Sequence, residues 1–406
     1  MTRNAGVRTC CFANRSLHGT MGFMTTRVPP RRVPQFLKRH WRLLVATIAV
    51  LALVGVFLGW SLVMRGRTLN VCGQFKTSSY PVGIVGSDNR GYVLTSSGEA
   101  FVLDSWITQN EGVDVGDNPT AVALSSSGTH LLVAGEKLTL LDAQLKALWS
   151  RKTTAPSIVE EAVFTKEGKV AVVFSLLADQ SRLFYLYDIA GKYLTSYTVP
   201  DFGRGSQVDL ASTGTLVVTL SSGTLYTVSP EGKVLGKFTV PNPDQKLAGL
   251  ASSISADGER IMAGYGFYAL DEGEALPRYV FDLTGKQVAE LSASTTSAGQ
   301  RSLGSYFLLF GKDVQLLDSM GRSVLSVAKM NYTAVDASMF GTNLAVLFQE
   351  NTASQTAVYF VGVYDIGSSK LVRQWSTAES ETPRISQLPG LRTAVVLGSG
   401  FLILCP

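Results

Sequence analysis

The chain has 406 residues, of which 46% are hydrophobic and 17% charged, so it can bury a large core and is not globally disordered. Its net charge of +5 is unevenly spread: residues 1–67 contain 11 Lys and Arg and no Asp or Glu, whereas the other residues contain 25 basic and all 31 acidic residues. Basic charge confined to one end, beside an apolar run, is typical of the flank of a membrane segment and disfavours nucleic acid as a partner.

The first element in the chain is the apolar run 43–64 (LLVATIAVLALVGVFLGWSLVM), which has 22 residues and no charge. At ~1.5 Å per residue a helix of this length reaches about 33 Å, enough to cross a hydrocarbon core of roughly 30 Å. Nine basic residues precede the run and two follow it. The positive-inside rule therefore predicts a single-pass signal anchor with a disordered basic tail, residues 1–42, in the cytoplasm and the body outside the membrane.

Two other interpretations of this run are a cleaved signal peptide and a buried core helix. The run is longer than the usual apolar region of a signal peptide, about 7–15 residues, and no A-x-A-like site lies between Met64 and Arg65. Trp41 and Trp60 near its ends suit a membrane interface better than a protein core. Met24 is an alternative start to Met1.

After residue 67 the apolar segments are short, alternating or β-branched and are separated by Gly, Asp and Ser, which predicts an all-β body. Two motifs repeat. The first is a glycine that opens an apolar strand, and successive glycines are 37 to 49 residues apart. The eight copies begin at Gly91, Gly128, Gly168, Gly214, Gly258, Gly304, Gly341 and Gly390.

The second motif closes the next strand with an apolar pair, usually Asp, and a short turn with Gly and a basic residue. Asp can accept a hydrogen bond from its own backbone two residues on, and Gly tolerates positive φ, so the motif predicts a tight turn and not chemistry. Its copies are VLD at 102–104, LLD at 140–142, LYDIAGK at 186–192, TVSPEGK at 227–233, VFDLTGK at 280–286, LLDSMGR at 316–322, VYD at 363–365 and ILC at 403–405.

A period of about 42 residues with four strands in each repeat is the signature of a β-propeller. The sequence therefore predicts about eight four-stranded blades over residues 69–406, preceded by one transmembrane helix. Seven blades is the alternative, if residues 81–116 pair irregularly.

The Asp-x-x-Gly-Lys turns, together with strands that end in Trp149 and Trp375, make the body resemble the WD40-like and quinoprotein-like (PQQ-type) propeller superfamily. With its single anchor, the chain also resembles membrane-anchored bacterial propeller proteins of unknown function. The Gly-His and Trp-Asp dipeptides of WD40 blades are absent, and so is the adjacent cysteine pair, outside the membrane, that quinoprotein dehydrogenases use. The resemblance therefore implies the fold but no quinone, and we predict no cofactor.

The last repeat supplies only three strands, so its fourth must come from elsewhere in the chain. Residues 69–75 (LNVCGQF) precede the first full blade, and we expect them to pair with 401–406 and cover an unpaired edge. Cys72 and Cys405 lie in these segments, and we hypothesise that they form a disulfide outside the membrane. Two buried free thiols are the alternative.

No residue predicts a reaction, and we assign no catalytic, cofactor-binding or metal residues; enzyme activity stays uncertain and is the less favoured reading. His130 is the one histidine of the body, and a lone histidine is usually structural. Asp209 and Asp336 lie five residues before Gly214 and Gly341, on strands expected to line the central channel. They are candidate channel carboxylates for binding a cation or for acid and base chemistry, although a polar lining explains them as well.

The favoured function is an interaction or scaffold module of the cell envelope that binds a protein or glycan. The alternative is a propeller enzyme or small-ligand binder with its site at the channel mouth: a carboxylate-based lyase or hydrolase, or a quinoprotein. Strand direction predicts that the elaborated loops point away from the membrane. The candidate partner-binding loop there is 264–277, with Tyr265, Phe267 and Tyr268.

Overall fold

The computed structural model describes residues 47, 49–52, 54 and 68–406, except 88–89, 107, 117, 180, 200–206, 243–249, 266–275, 294–296, 312 and 352–355. The predicted tail, 1–42, and most of the predicted anchor, 43–64, lie outside the described residues. The six described residues of the anchor are helical. In the part of the chain that is described, no helix is long and apolar enough to cross a membrane.

All the strands belong to the compact unit Met64–Pro406. Blade 1 contains β2 (Pro81–Ser87), β3 (Arg90–Thr95), β4 (Glu99–Asp104), β5 (Thr108–Gln109) and β6 (Val113–Asp114), and blade 2 contains β7 (Ala121–Leu124), β8 (His130–Ala134), β9 (Leu138–Asp142) and β10 (Ala147–Arg151). Blade 3 contains β11 (Ser157–Phe164), β12 (Val170–Leu176), β13 (Arg182–Tyr187) and β14 (Tyr193–Val199), and blade 4 contains β15 (Gln207–Leu210), β16 (Leu216–Thr219), β17 (Thr224–Val228) and β18 (Val234–Thr239). Blade 5 contains β19 (Ala251–Ile254), β20 (Arg260–Gly264), β21 (Leu276–Asp282) and β22 (Gln287–Ala293), and blade 6 contains β23 (Ser297–Leu303), β24 (Tyr306–Gly311), β25 (Asp313–Leu317) and β26 (Ser323–Ala328). Blade 7 contains β27 (Tyr332–Phe340), β28 (Asn343–Glu350), β29 (Ala357–Asp365) and β30 (Lys370–Glu379), and blade 8 contains β31 (Arg384–Gln387), β32 (Thr393–Leu397), β33 (Gly400–Cys405) and, from the start of the body, β1 (Asn70–Lys76).

The described strands form eight separate antiparallel sheets, which confirms the prediction of an eight-blade propeller. The first strand of each blade contacts the first strand of the next, and β31 contacts β2, so the ring is closed. The core consists of eight apolar clusters, each shared by two consecutive blades. Burial of apolar side chains between blades therefore holds the ring together.

The repeated glycines open strands as predicted in seven of the eight copies. Those seven have positive φ, between 59° and 79°, at the turn between the first and second strands of their blades. Gly91 is different, because it lies inside β3 opposite Gly86. A Cβ on Gly91 would lie 2.5 Å from the buried Trp106 ring, so glycine is needed there for close approach.

The aspartates of the second motif form turns, as the sequence predicts. One carboxylate oxygen of Asp282 accepts hydrogen bonds from the backbone N–H of Thr284 at 2.9 Å and of Lys286 at 3.0 Å. Asp142 and Asp318 accept the same pair of bonds. The side-chain hydrogen bond from Thr284 lowers the pKa of Asp282. This carboxylate therefore stays ionised and continues to accept the hydrogen bonds of the turn.

Blade 8 is completed by the start of the body. β1 pairs antiparallel with β33, and Phe75 lies opposite Phe401 with the two ring centroids 4.9 Å apart. Leu69, just before β1, is 2% exposed and donates its N–H to the carbonyl of Gln374 in blade 7 at 2.8 Å. Cys72 and Cys405 are joined as a disulfide with a Cα–Cα distance of 5.9 Å.

We predict that the double variant Cys72→Ser, Cys405→Ser unfolds at a lower denaturant concentration than the oxidised protein. The cross-link spans nearly the whole body, and loop-closure entropy gives an upper limit of roughly 5–6 kcal/mol for its contribution to stability. Denaturation with and without a reductant measures it. Reduction should lower the midpoint of the unaltered protein to that of the double variant; an unchanged midpoint would show that the disulfide does not constrain the ring.

Candidate functional site

The propeller has two faces, which strand direction defines. The turn face carries the connections from first to second and from third to fourth strands, including the glycine and aspartate turns above. The link face carries the connections from second to third strands and the links between blades. Two cavities lie on the inner strands of blades 7, 8 and 1: one of about 570 Å³ near the turn face and one of about 780 Å³ near the link face.

The link-face cavity, lined by residues of β2, β23, β27, β31, β32 and the links around Tyr80 and Pro383, holds three charged side chains. They are Arg301 from blade 6, Asp336 from blade 7 and Arg384 from blade 8. An Arg301 Nη donates to a carboxylate oxygen of Asp336 at 2.7 Å and also to the carbonyl of Ala337. Because the charges of Arg301 and Asp336 cancel, Arg384 gives the cavity a net charge of one positive unit.

Arg384 is exposed at the first position of β31. Its guanidinium carbon lies 5.6 Å from the centroid of the Tyr80 ring, a cation–π contact. None of the ion pairs in the described residues includes Arg384. The side chain is therefore positioned by an aromatic ring and keeps its charge available to a ligand.

The two predicted channel carboxylates act as ties between blades. Asp209 of blade 4 accepts the backbone N–H of Ile254 in blade 5 at 2.7 Å. Asp336 of blade 7 accepts the N–H of Ile385 in blade 8 at 2.9 Å. Each carboxylate thus satisfies an amide on the open edge of the neighbouring inner strand. Asp209 and Asp336 accept hydrogen bonds from different blades, 5 and 8. No described contact joins the two carboxylates as an acid and base pair.

The two aspartates also differ in depth, although both lie five residues before a glycine. Phe340 and Ala211 are the residues that close the first turns of blades 7 and 4. Asp336 lies four residues before Phe340, whereas Asp209 lies two residues before Ala211. The blade 7 residue at the depth of Asp209 is Ser338, whose hydroxyl accepts the N–H of Gln387 at 2.9 Å. The blade 3 residue at the depth of Asp336 is Glu161.

Glu161 is a half-buried acid that sequence reasoning missed. Burial, followed by the nearby charges of Asp209 and Glu160, raises the pKa of its carboxyl to about 7. Burial also raises the pKa of Asp209, while the N–H groups of Ile254 and Leu210 oppose that rise. Blades 3 and 4 therefore carry an acidic side of the ring, whereas Arg301 and Arg384 lie on blades 6 and 8.

The predicted aromatic partner-binding loop needs a correction. Tyr265 is only 6% exposed and packs in the core shared by blades 4 and 5, so its ring cannot contact a partner in this structure. The physical reason is its place directly after β20, where the fully buried Arg278 binds the Tyr265 carbonyl and fixes the base of the loop. Phe267 and Tyr268 lie outside the described residues.

The lone histidine, His130, is half-buried at the start of β8, and its Nδ1 shares a hydrogen bond with the hydroxyl of Thr129 at 2.9 Å. Within the described ranges, no group of three or more His, Cys, Asp and Glu side chains is arranged to hold a metal ion. The polar side chains of Arg384, Tyr80 and Ser386 line the link-face cavity.

The propeller is similar to solved structures of WD40 and related propellers. It aligns with the C-terminal WD40 domain of Sif2 at 12% identity and a TM-score of 0.60, over 84% of this chain and 99% of that chain. It aligns with BamB from Moraxella catarrhalis at 15% identity and a TM-score of 0.52, over 84% of this chain and 100% of that chain. A computationally designed protein, Ika8, aligns at 15% identity and a TM-score of 0.59, over 82% of this chain and 99% of that chain.

These identities show a shared fold and no more, so the resemblance to WD40-like and quinoprotein-like propellers is confirmed as a resemblance of fold. No protein-family model matches the sequence, and no curated protein is similar enough in sequence to match it. The kinship with membrane-anchored propellers stays a prediction.

We predict that Glu161→Gln stabilises the protein at neutral pH but not at pH 4. The carboxyl ionises at about pH 7 in the folded state and near pH 4.3 when unfolded. Stability of the unaltered protein should therefore fall as pH rises between these values and level off above the folded pKa, by at most roughly 4 kcal/mol. Chemical denaturation at pH 4, 6 and 8 measures the difference, with the exposed Glu290→Gln as control. A difference that does not grow with pH contradicts the assignment.

Proposed function

We propose that this chain is a single-pass membrane-anchored, extracytoplasmic propeller that acts as an interaction or scaffold module of the cell envelope. The apolar run 43–64 and the one-sided basic flank support the anchor and its orientation. The disulfide between Cys72 and Cys405 supports an oxidising compartment. The partner is a protein or a glycan that binds the link face.

The distribution of exposed side chains supports the choice of the link face. It carries the cavity with Arg384 and Tyr80, and two of the most exposed apolar side chains lie on its connections. Leu177, between β12 and β13, is 59% exposed, and Met330, between β26 and β27, is 84% exposed. Exposed apolar and arginine side chains are typical of protein interfaces.

In this proposal the link face is distal to the membrane. β1 begins on the turn face, because Asn70 lies opposite Cys405 at the end of β33. Only residues 65–69 separate β1 from the end of the apolar run. A connection this short keeps the start of β1 near the bilayer, and the opposite end of the blades then points outward.

The anchor and its orientation are tested by digesting intact cells that carry a C-terminal epitope. We expect external protease to remove the epitope while a cytoplasmic marker stays intact. Retention of the epitope until the cells are lysed would show that the body is cytoplasmic and would defeat the proposal.

The interaction face is tested with matched pairs of exposed apolar residues. We predict that Leu177→Ser with Met330→Ser lowers cross-linking to an envelope partner at least about fivefold, because these side chains lose their apolar contacts at the interface. The control pair is Leu148→Ser with Val234→Ser, which are 47% and 44% exposed near the turn face. Cross-linking in intact cells, with equal amounts of each variant, measures the effect. Loss with the control pair alone would place the interface on the turn face.

A further inference from the structure

We infer that the link-face cavity binds the carboxylate end of an extended peptide whose last side chains are apolar. This inference deepens the proposed function and takes from it the choice of face. The cavity of about 780 Å³ is within the usual range of ligand pockets.

Apolar side chains form part of the cavity wall, beside the polar side chains already named. Ile84 comes from blade 1, Leu303 from blade 6, Val335 from blade 7, and Ile385 and Val396 from blade 8. This apolar part of the wall can contact the hydrocarbon of a ligand, and each buried methylene contributes ~0.8 kcal/mol of transfer free energy.

The charge of the cavity fits one carboxylate. Arg301 and Asp336 neutralise each other at 2.7 Å, which leaves the single charge of Arg384 among the described lining residues. A monoanion matches this charge, whereas a phosphate dianion would need a second cation. Because protein replaces part of the surrounding water, the attraction between the guanidinium and a carboxylate is screened less than in bulk water.

Arg384 is also prepared in geometry for a carboxylate. The guanidinium carbon of Arg384 lies over the Tyr80 ring, 5.6 Å from its centroid, and none of the described hydrogen bonds uses the side-chain N–H groups of Arg384. A guanidinium donates in its plane, so its edge stays able to form two parallel hydrogen bonds to a carboxylate. Ser386, two residues along β31, lines the same cavity and offers a third donor. Because Arg384 covers the Tyr80 ring, that ring face is not open for stacking by a sugar.

The inference is tested by fluorescence anisotropy with the full chain in neutral-detergent micelles. The probe is a labelled pentapeptide that ends in Leu-Val with a free carboxylate. We expect the same peptide with an amidated end to bind at least about tenfold more weakly, which is ~1.4 kcal/mol. We expect Arg384→Gln to cause a similar loss, and Arg384→Lys a smaller but measurable one, because Lys keeps the charge without the planar fork.

The matched control is Arg392→Gln, which removes the same charge from the turn face of the same blade and should leave binding unchanged. Equal affinity for the acid and the amide, or full binding by Arg384→Gln, overturns the inference. Tighter binding of an oligoglucuronate than of the peptide also overturns it and assigns the cavity to an acidic glycan. If peptide binding fails while cross-linking still depends on Leu177 and Met330, the inference falls and the proposed function stands.

Discussion

The edge of β33 has to be paired, and the pairing of β1 with that edge is the constraint on which the rest of the propeller depends. Without β1, the last repeat would have three strands and an open row of backbone amides and carbonyls. β1 also brings Leu69 into the core shared by blades 7 and 8 and Phe75 onto Phe401. The disulfide between Cys72 and Cys405 lies at this junction. Both cavities lie on blades 7, 8 and 1, so the closure of the ring also shapes the candidate site.

Around the channel, the backbone amides of the inner strands need hydrogen-bond partners, and different side chains supply them. The inner strand of a blade has no further strand on its channel side, so its amides need other partners. In blades 5 and 8 the side chains of Asp209, Asp336 and Ser338 from the preceding blade supply them. Polar residues that the sequence offers as candidates for chemistry thus hold neighbouring blades together, whereas Arg384 is in none of the ion pairs among the described residues.

The blade count and the closing strand could be predicted because the turns of the blades use the same local Gly and Asp patterns, which repeat in the sequence. The candidate site could not be predicted in the same way. Tyr80 and Arg384 are distant in sequence and meet only when the ring closes. The correspondence of Glu161 with Asp336 was hidden, because the first hairpins of blades 3 and 7 differ in turn length and the glycine spacing misaligns them. The burial of Tyr265 depends on the packing of blades 4 and 5, which no local pattern records. The sequence did contain one signal for the candidate site: Arg301 and Arg384 lie on strands that must line a channel.

The dependence of the site on ring closure is the central claim, and amide hydrogen exchange at Ile385 and Gln387 tests it most directly. Their amides bind Asp336 and Ser338; Ile385 lines the link-face cavity and Gln387 the turn-face cavity. The comparison is between a chain that begins at Leu69 and one that begins at Ser79 and so lacks β1. The account predicts slow exchange of both amides in the first chain and much faster exchange in the second, because a blade 8 without its outer strand opens locally more often. Equal protection in the two chains would contradict it.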